Sequence, residues 1–372
     1  MTPLWLGDDG ELDAKEMSLA LGRPVRSARL GQPMSGKNGG LSGRFDDVYV
    51  DDEEVPRFVL KRTGGASAKT LGTCREGLFY ARFSKRLGDL VPLAYRAFAD
   101  EGTGSSEVLM EKIEGCVPAG VDFGNGNPNN WGHSLPGARA YETTKRCFEA
   151  YAKLHSRFWR DKSLLDCHWL RGADWLQGRG QDDWEAAQQL AKSAWEDREQ
   201  NDVIWDRHVV ECLDASFKKV DWQTFQNDLT ERPFALVHGD AHPHNILKVE
   251  DKLLFIDFEM VGLGSPLQDL GQFIISHMTP QDRRTHEKDL IRHYHTHLNT
   301  HLTKEHLSEE HLSFEVLFDE YLRGGIGRWL WFTPYLAKVC PTDMGQFFHD
   351  QLKAALHDHF PDNPNDVPMP RV

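Results

Sequence analysis

The chain has 372 residues, 40% hydrophobic and 27% charged, an ordinary globular profile with ample length for a sizeable core. Its formal charge of -14 speaks against general nucleic-acid binding, which needs basic surface, and the absence of a run of about 18 apolar residues speaks against a membrane span. The start MTPLWLGDDGELDAKE lacks the features of a secretory signal, and six scattered cysteines (Cys74, Cys116, Cys147, Cys167, Cys212, Cys340) with no C-x-x-C pair predict buried or free thiols in a reducing, cytoplasmic compartment.

Residues 4–22 predict a short amphipathic helix and residues 25–30 a strand. The Gly- and Ser-rich stretch 31–44 leads to strands over 45–50 and 58–62, joined by an acidic turn at 51–54. A helix is expected over 71–87 and a strand over 107–113, so this part reads as a small antiparallel sheet with one helix. Residues 118–137, which include GNGNPNN, predict a surface loop or a lid. Beyond them the chain turns helical. In 141–161, Phe148, Tyr151, Ala152, His155, Phe158 and Trp159 recur at helical spacing. Further helices are expected over 184–200 and 203–220, then a loop and a β-hairpin over 236–259, then helices from Leu267. The end, PDNPNDVPMPRV, predicts a poorly ordered tail.

The densest chemistry lies in His238-Gly239-Asp240-Ala241-His242-Pro243-His244-Asn245, followed twelve residues later by Asp257 in Ile256-Asp257-Phe258-Glu259. Phosphoryl transfer needs a carboxylate to meet the attacking hydroxyl, and an amide oxygen and a second carboxylate to hold the magnesium that neutralises a triphosphate. Asp240 and Asn245 lie five apart on one loop, and a hairpin through 246–256 brings Asp257 back beside Asn245. Hard oxygen ligands of this kind suit magnesium. The same H-x-D-x-H segment also admits a metal-dependent hydrolase, since His238, Asp240, His242 and His244 are all competent for zinc.

HGDAHPHN followed by IDFE resembles the aminoglycoside phosphotransferase and choline kinase group of small-molecule kinases, including its ecdysteroid-kinase-like branch. The resemblance implies an α+β, two-lobed protein-kinase-like fold: residues 1–113 as a small antiparallel-sheet N-lobe covering the nucleotide, and 114–372 as a larger helical C-lobe. It implies ATP and Mg2+ as cofactors. Asp240 is then the catalytic base, Asn245, Asp257 and Glu259 hold the metal, and His238 buttresses the loop. Gly262-x-Gly264-x-Pro266-x-x-Asp269 resembles the family's continuation, with Asp269 anchoring the next helix.

The upstream parts of such a kinase are present in order, which is what sets the hydrolase reading aside. Val59 and Lys61 share a strand face, placed to cover the adenine and reach the phosphates. Glu76 falls on the inward face of a helix with Phe79, Tyr80, Phe83 and Leu87, and Lys61 is its natural partner. The stretch 35–43, with Asn38, Gly39, Gly40 and Ser42, fits a phosphate-covering loop, although it is neither a clean G-x-G-x-x-G nor a Walker A motif. Main-chain groups near Glu111 and Ile113 fit a hinge that pairs with the adenine edge.

Asp257 runs almost directly into Gly264 and Pro266, with no A-P-E and no room for a peptide-docking segment, so the expected partner is a small hydroxylated acceptor. Trp329 and Trp331, in DEYLRGGIGRWLWFTPY, are candidate contacts for a cationic acceptor, or else core. His155 reads as a core histidine. His293, His295, His297, His301, His306 and His311 read as surface or core residues, for want of carboxylate and cysteine context. A pseudokinase acting as a binding module would have lost Lys61, Asp240, Asn245 or Asp257, and all four are here.

Overall fold

The structure, a computed structural model, describes residues 10–33, 44–51, 53–65, 68–123, 138–304 and 312–372. The chain divides into two compact units, Met1–Pro118 with Asn245–Val261, and Ala119–His244 with Gly262–Val372.

In the first unit, α1 (Ala14–Leu21) is capped by the Asp13 carboxylate, which accepts the N–H groups of Lys15 and Glu16, and ends at Gly22 in left-handed backbone. Strands β1 (Ala28–Pro33), β2 (Arg44–Val50) and β3 (Phe58–Thr63) follow. Next come α2 (Ala68–Leu71), α3 (Arg75–Leu87), β4 (Ala94–Asp100) and β5 (Ser105–Glu111). Among the described residues the strands form one antiparallel sheet in the order β1-β2-β3-β5-β4. Val48, Val50, Phe58, Leu60 and Leu109 turn one face onto Leu12 and Met17. The helix expected over 71–87 starts later, at Arg75, because Gly72 adopts φ +66° and ends the short α2 before it. Gly77 lets α3 lie on the sheet: a Cβ there would stand 2.5 Å from the Phe98 carbonyl oxygen. β4 was not expected; all seven of its residues are half-buried, so it carries no alternation to read. A second sheet joins β6 (Val117–Pro118) to the hairpin β8 (Ile246–Val249) and β9 (Lys252–Phe255).

The second unit is mainly helical: α4 (Ala138–Ser156), α5 (Ala173–Leu176), α6 (Gln181–Glu196), α7 (Arg207–Phe217) and α8 (Trp222–Glu231). Strand β7 (Ala235–Val237) pairs with β10 (Gly262–Gly264). Then follow α9 (Leu267–His277), α10 (Pro280–Lys304), α11 (Phe314–Glu320), α12 (Gly327–Val339) and α13 (Thr342–His359). Every residue of α9 is buried, as befits a helix at the centre of its unit. It meets the π-helical turn Tyr321–Ile326 backbone to backbone, since a Cβ at Gly271 would stand 2.2 Å from Gly325 Cα. Trp195, Leu213, Ile275, Trp329, Phe348, Leu352 and Leu356 form an apolar cluster within it. No described helix is long and apolar enough to cross a membrane. Of the expected loop or lid at 118–137, residues 124–137 lie outside the described residues.

The tail departs from expectation. Val367, Met369 and Arg371 are buried. Ser216 Oγ donates to the Pro368 carbonyl at 2.6 Å, Gln188 Nε2 to the Pro370 carbonyl at 2.7 Å, and the Arg371 N–H to Gly327 at 2.8 Å. Proline removes donors but leaves carbonyl acceptors, so this composition forbids a helix without forbidding order. Burying Val367 and Met369 contributes about 1.5–3 kcal/mol each. Deleting residues 361–372 should therefore lower the melting temperature by roughly 5–10 °C, read by calorimetry; an unchanged Tm would mean the tail does not dock.

Candidate active site

Within the first unit, Lys61 projects from β3 into a cluster of acids. Its side chain is only 2% exposed, and its Nζ pairs with Glu76 of α3, with Asp257 Oδ1 at 2.8 Å and with Glu259 Oε1 at 3.5 Å. Burial disfavours the ammonium, but the three acids outweigh it and hold the lysine above its ordinary range. The acids are crowded in turn. Burial pushes the Glu259 carboxyl up to about 8 against the pull of Lys61, with Asp257 and Glu76 adding to the rise, and burial raises Glu76 as well. Fully ionised, three carboxylates against one ammonium would leave two negative charges in excess, and the upward shifts of Glu76 and Glu259 are the response to that crowding. The ligand oxygens of Glu76, Asp257 and Glu259 lie within 4.8 Å of one another, so the donor set fits a hard cation such as Mg2+.

Local structure sets this cluster. Ile246 faces Phe255 in the hairpin, and the Ile256 N–H donates to the Asn245 carbonyl at 3.0 Å, which puts Asn245 opposite the residue before Asp257. Asp257 then takes left-handed backbone, φ 67°, a conformation costly for a non-glycine residue and most often kept where a site needs it. The turn is pinned to α3: the Phe258 N–H donates to Glu76 Oε1 at 3.3 Å, and the Phe258 ring stacks on Phe79 at 3.7 Å between centroids.

Within the second unit, the loop bearing Asp240 hangs from one buried carboxylate. Asp269 of α9 accepts the His238 N–H at 2.7 Å and the Gly239 N–H at 3.0 Å, and pairs with His155 Nε2 at 3.3 Å. Tyr294 Oη meets the other nitrogen of His155 at 2.9 Å. His238 Nδ1 takes the Asp240 N–H at 3.3 Å, and Arg328 Nη2 donates to the Gly239 carbonyl at 3.2 Å. The Asp240 carboxylate itself accepts from Gln272 Nε2 at 3.0 Å and faces His242 Nε2 at 3.4 Å. Burial pushes its carboxyl up, while His242, His238 and Gln272 together hold it well below the usual carboxylate range.

The expected residues thus fall into two groups: Val59, Lys61, Glu76, Asn245, Asp257 and Glu259 in the first unit, and His238, Asp240 and Asp269 in the second. Asn38, Gly39, Gly40 and Ser42 lie outside the described residues. Glu111 ends β5 with its N–H on the Leu93 carbonyl at 2.9 Å; with Ile113, Gly88 and Leu254 it lines a cavity of about 530 Å³. Trp329 and Trp331 are buried, their indole N–H groups donated to the carbonyls of Gly271 at 3.3 Å and Ala187 at 3.1 Å. Sequence reasoning missed Gln272 and Arg328. Gln272 sits three residues after Asp269, hence on the same helix face, and Arg328 is a charge inside an apolar run; those were the available signals. Among the described residues, His238, Asp240 and His242 form no group with converging ligand atoms, so the hydrolase reading is not favoured.

An antiparallel-sheet unit with a buried Lys–Glu pair and a helical unit with an anchored H-G-D loop are the parts of a two-lobed, protein-kinase-like phosphotransferase fold. Residues 161–307 match the ecdysteroid kinase-like family. Solved structures agree on the fold. Choline kinase from Cryptosporidium parvum Iowa II is 11% identical, with 89% of this chain and 90% of that one covered and a TM-score of 0.52. The GDP and kanamycin complex of APH(2")-IIia is 12% identical, covering 94% and 100%, with a TM-score of 0.52. Macrolide 2'-phosphotransferase MphH from Brachybacterium faecium is 12% identical, covering 91% and 97%, with a TM-score of 0.50. No curated protein matches the chain in sequence. Family match and fold together support a small-molecule kinase-like phosphotransferase.

Removing one member of a buried ion pair strands the other, at about 3–5 kcal/mol. Lys61→Ala should destabilise the protein on that scale; Glu76→Ala, which leaves Lys61 paired with Asp257 and Glu259, should cost less, and the double variant should lose clearly less than the sum. Urea unfolding of the four proteins measures this; strict additivity would show that the two side chains act independently.

Proposed function

We propose that the chain transfers the γ-phosphate of ATP to a hydroxyl group of a small molecule. The observation that carries this reading is the buried Lys61–Glu76–Asp257–Glu259 cluster, whose converging carboxylate oxygens suit a divalent ion and whose lysine suits a nucleotide phosphate. Asn245, Asp257 and Glu259 are assigned to Mg2+, which would neutralise charge on the triphosphate. Lys61, held by Glu76, is assigned to the phosphates, and Val59 to the adenine. Residues 1–113 would serve as the nucleotide-covering lobe and 114–372 as the catalytic and acceptor-binding lobe.

Asp240 is assigned to the acceptor hydroxyl. Its depressed pKa makes it a weak base, which suits a loose transition state in which the proton leaves late and positioning dominates. Gln272 and His242 fix its two oxygens, so one lone pair can be aimed at the acceptor O–H. A small acceptor is favoured because only nine residues separate Asp257 from α9, too few for a peptide platform. Choline kinase and a kanamycin complex among the solved structures make aminoalcohols and aminoglycosides the first acceptors to try.

Asp240→Asn keeps shape and removes the base. It should leave Tm and nucleotide binding intact while lowering ATP-dependent phosphorylation by about 10²–10⁴-fold. The assay is ADP release with Mg2+ across a panel of aminoalcohols, aminoglycosides, sugars and sterols. EDTA should abolish turnover and Mg2+ restore it. Near wild-type turnover by Asp240→Asn would remove Asp240 from the chemistry, and ADP release with no acceptor in the panel would turn the reading toward a binding module.

A further inference from the structure

The histidine stripe of α10, read from sequence as lacking a carboxylate, acquires one in the fold. Glu149 of α4 lies 144 residues from His293 in the chain, yet its Oε1 stands 2.7 Å from His293 Nε2 and 3.7 Å from His297 Nε2. The two imidazoles sit one helical turn apart, with ring centroids 4.5 Å from each other. All three ligand atoms fall within 4.8 Å of one another.

We propose that Glu149, His293 and His297 form a binding site for a divalent transition-metal ion, Zn2+ foremost, where α4 packs on α10. With bonds of about 2.0–2.1 Å, a tetrahedral zinc separates its ligand atoms by roughly 3.3 Å, and the two distances to Glu149 Oε1 bracket that value. Two imidazole nitrogens and one carboxylate select zinc or its transition-metal neighbours over Mg2+ and Ca2+, which prefer oxygen alone. The side chains are 42%, 22% and 37% exposed for Glu149, His293 and His297, so a hydrated ion can reach them and keep a water as fourth ligand. His295, between the two, is not part of the set: its Nε2 is taken by the Leu312 carbonyl at 2.6 Å. The site is separate from the acids around Lys61 and independent of the phosphotransferase reading. An ion here would fasten α4 to α10 on the same helix pair that carries His155 and Tyr294, whose contact supports Asp269.

The experiment uses the full chain, tag-free and stripped with chelator, titrated with Zn2+ by calorimetry and with Co2+ by visible absorption. Wild type should bind one Zn2+ per chain at this site, show the d–d bands of low-coordinate Co2+, and gain Tm with Zn2+ but not with equimolar Mg2+. The variant His293→Gln/His297→Gln should weaken that Zn2+ event at least about tenfold and lose the bands and the Tm gain, while His295→Gln keeps all three. Should the double variant prove unstable without metal, Glu149→Gln, which keeps both imidazoles and the helix contact, reads the same loss. Equal Zn2+ affinity in wild type and these variants, or no Zn2+ binding to wild type, overturns the proposal.

Discussion

The loop bearing Asp240 depends on a single buried carboxylate, that of Asp269. Burial alone would push its carboxyl up, yet His155, His238 and the Gly239 N–H hold it below the usual range, so it remains an anion at neutral pH. An anion with no surface exposure must be matched bond for bond, and it is, by two consecutive loop N–H groups and an imidazole. That demand fixes the loop in place. Two backbone amides on one carboxylate leave His238 and Gly239 little freedom, and the His238 ring then takes the Asp240 N–H. The support reaches through His155 to Tyr294, so α4, α9 and α10 all bear on the position of one aspartate.

The first unit solves a different electrostatic problem. Its site is an acid cluster that a single lysine cannot neutralise, and the strain shows in the raised carboxyls of Glu76 and Glu259. A cluster built only for stability would have matched its charges or replaced them with apolar groups. On the phosphotransferase reading proposed above, a cation and an anionic phosphate would both come to these acids and this lysine. The anionic ligand would compete with the acids for Lys61, and the cation would relieve their mutual repulsion.

Much of this was legible in the sequence, where local chemistry carries its own signature. The inward face of α3 exposed Glu76 as a buried acid needing a partner, and the period of β3 put Val59 and Lys61 on one side. HGDAHPHN and IDFE, with a hairpin between them, were enough to bring Asn245 up to the Asp257 turn. What could not be read depends on distant residues meeting. Gln272 looks like any polar residue in a helix until α9 is buried on all sides, and Arg328 like a misplaced charge until its guanidinium reaches Gly239. Glu149 sits in an exposed-looking position of α4 and gives no hint of the histidines that face it. The tail was misread because proline content reports lost donors, whereas order here comes from carbonyls accepting from other elements.

The aromatic run near residue 330 follows a change in helix type. Between Asp319 and these rings the α-helix gives way to a π-helical turn, Tyr321–Ile326. Its cause is close at hand, because Gly324 and Gly325 lie against Ser265 and Gly271 and the backbone must widen to let α9 pass. Asp319 and Glu320 turn to Arg232, while Phe332 and Trp331 receive Arg328, whose guanidinium lies 4.2 Å and 5.6 Å from their centroids. The cation on these rings is therefore one of the chain's own, and the same guanidinium holds the Gly239 carbonyl beside Asp240. The aromatic run thus bears on the loop that carries Asp240, through the guanidinium it holds.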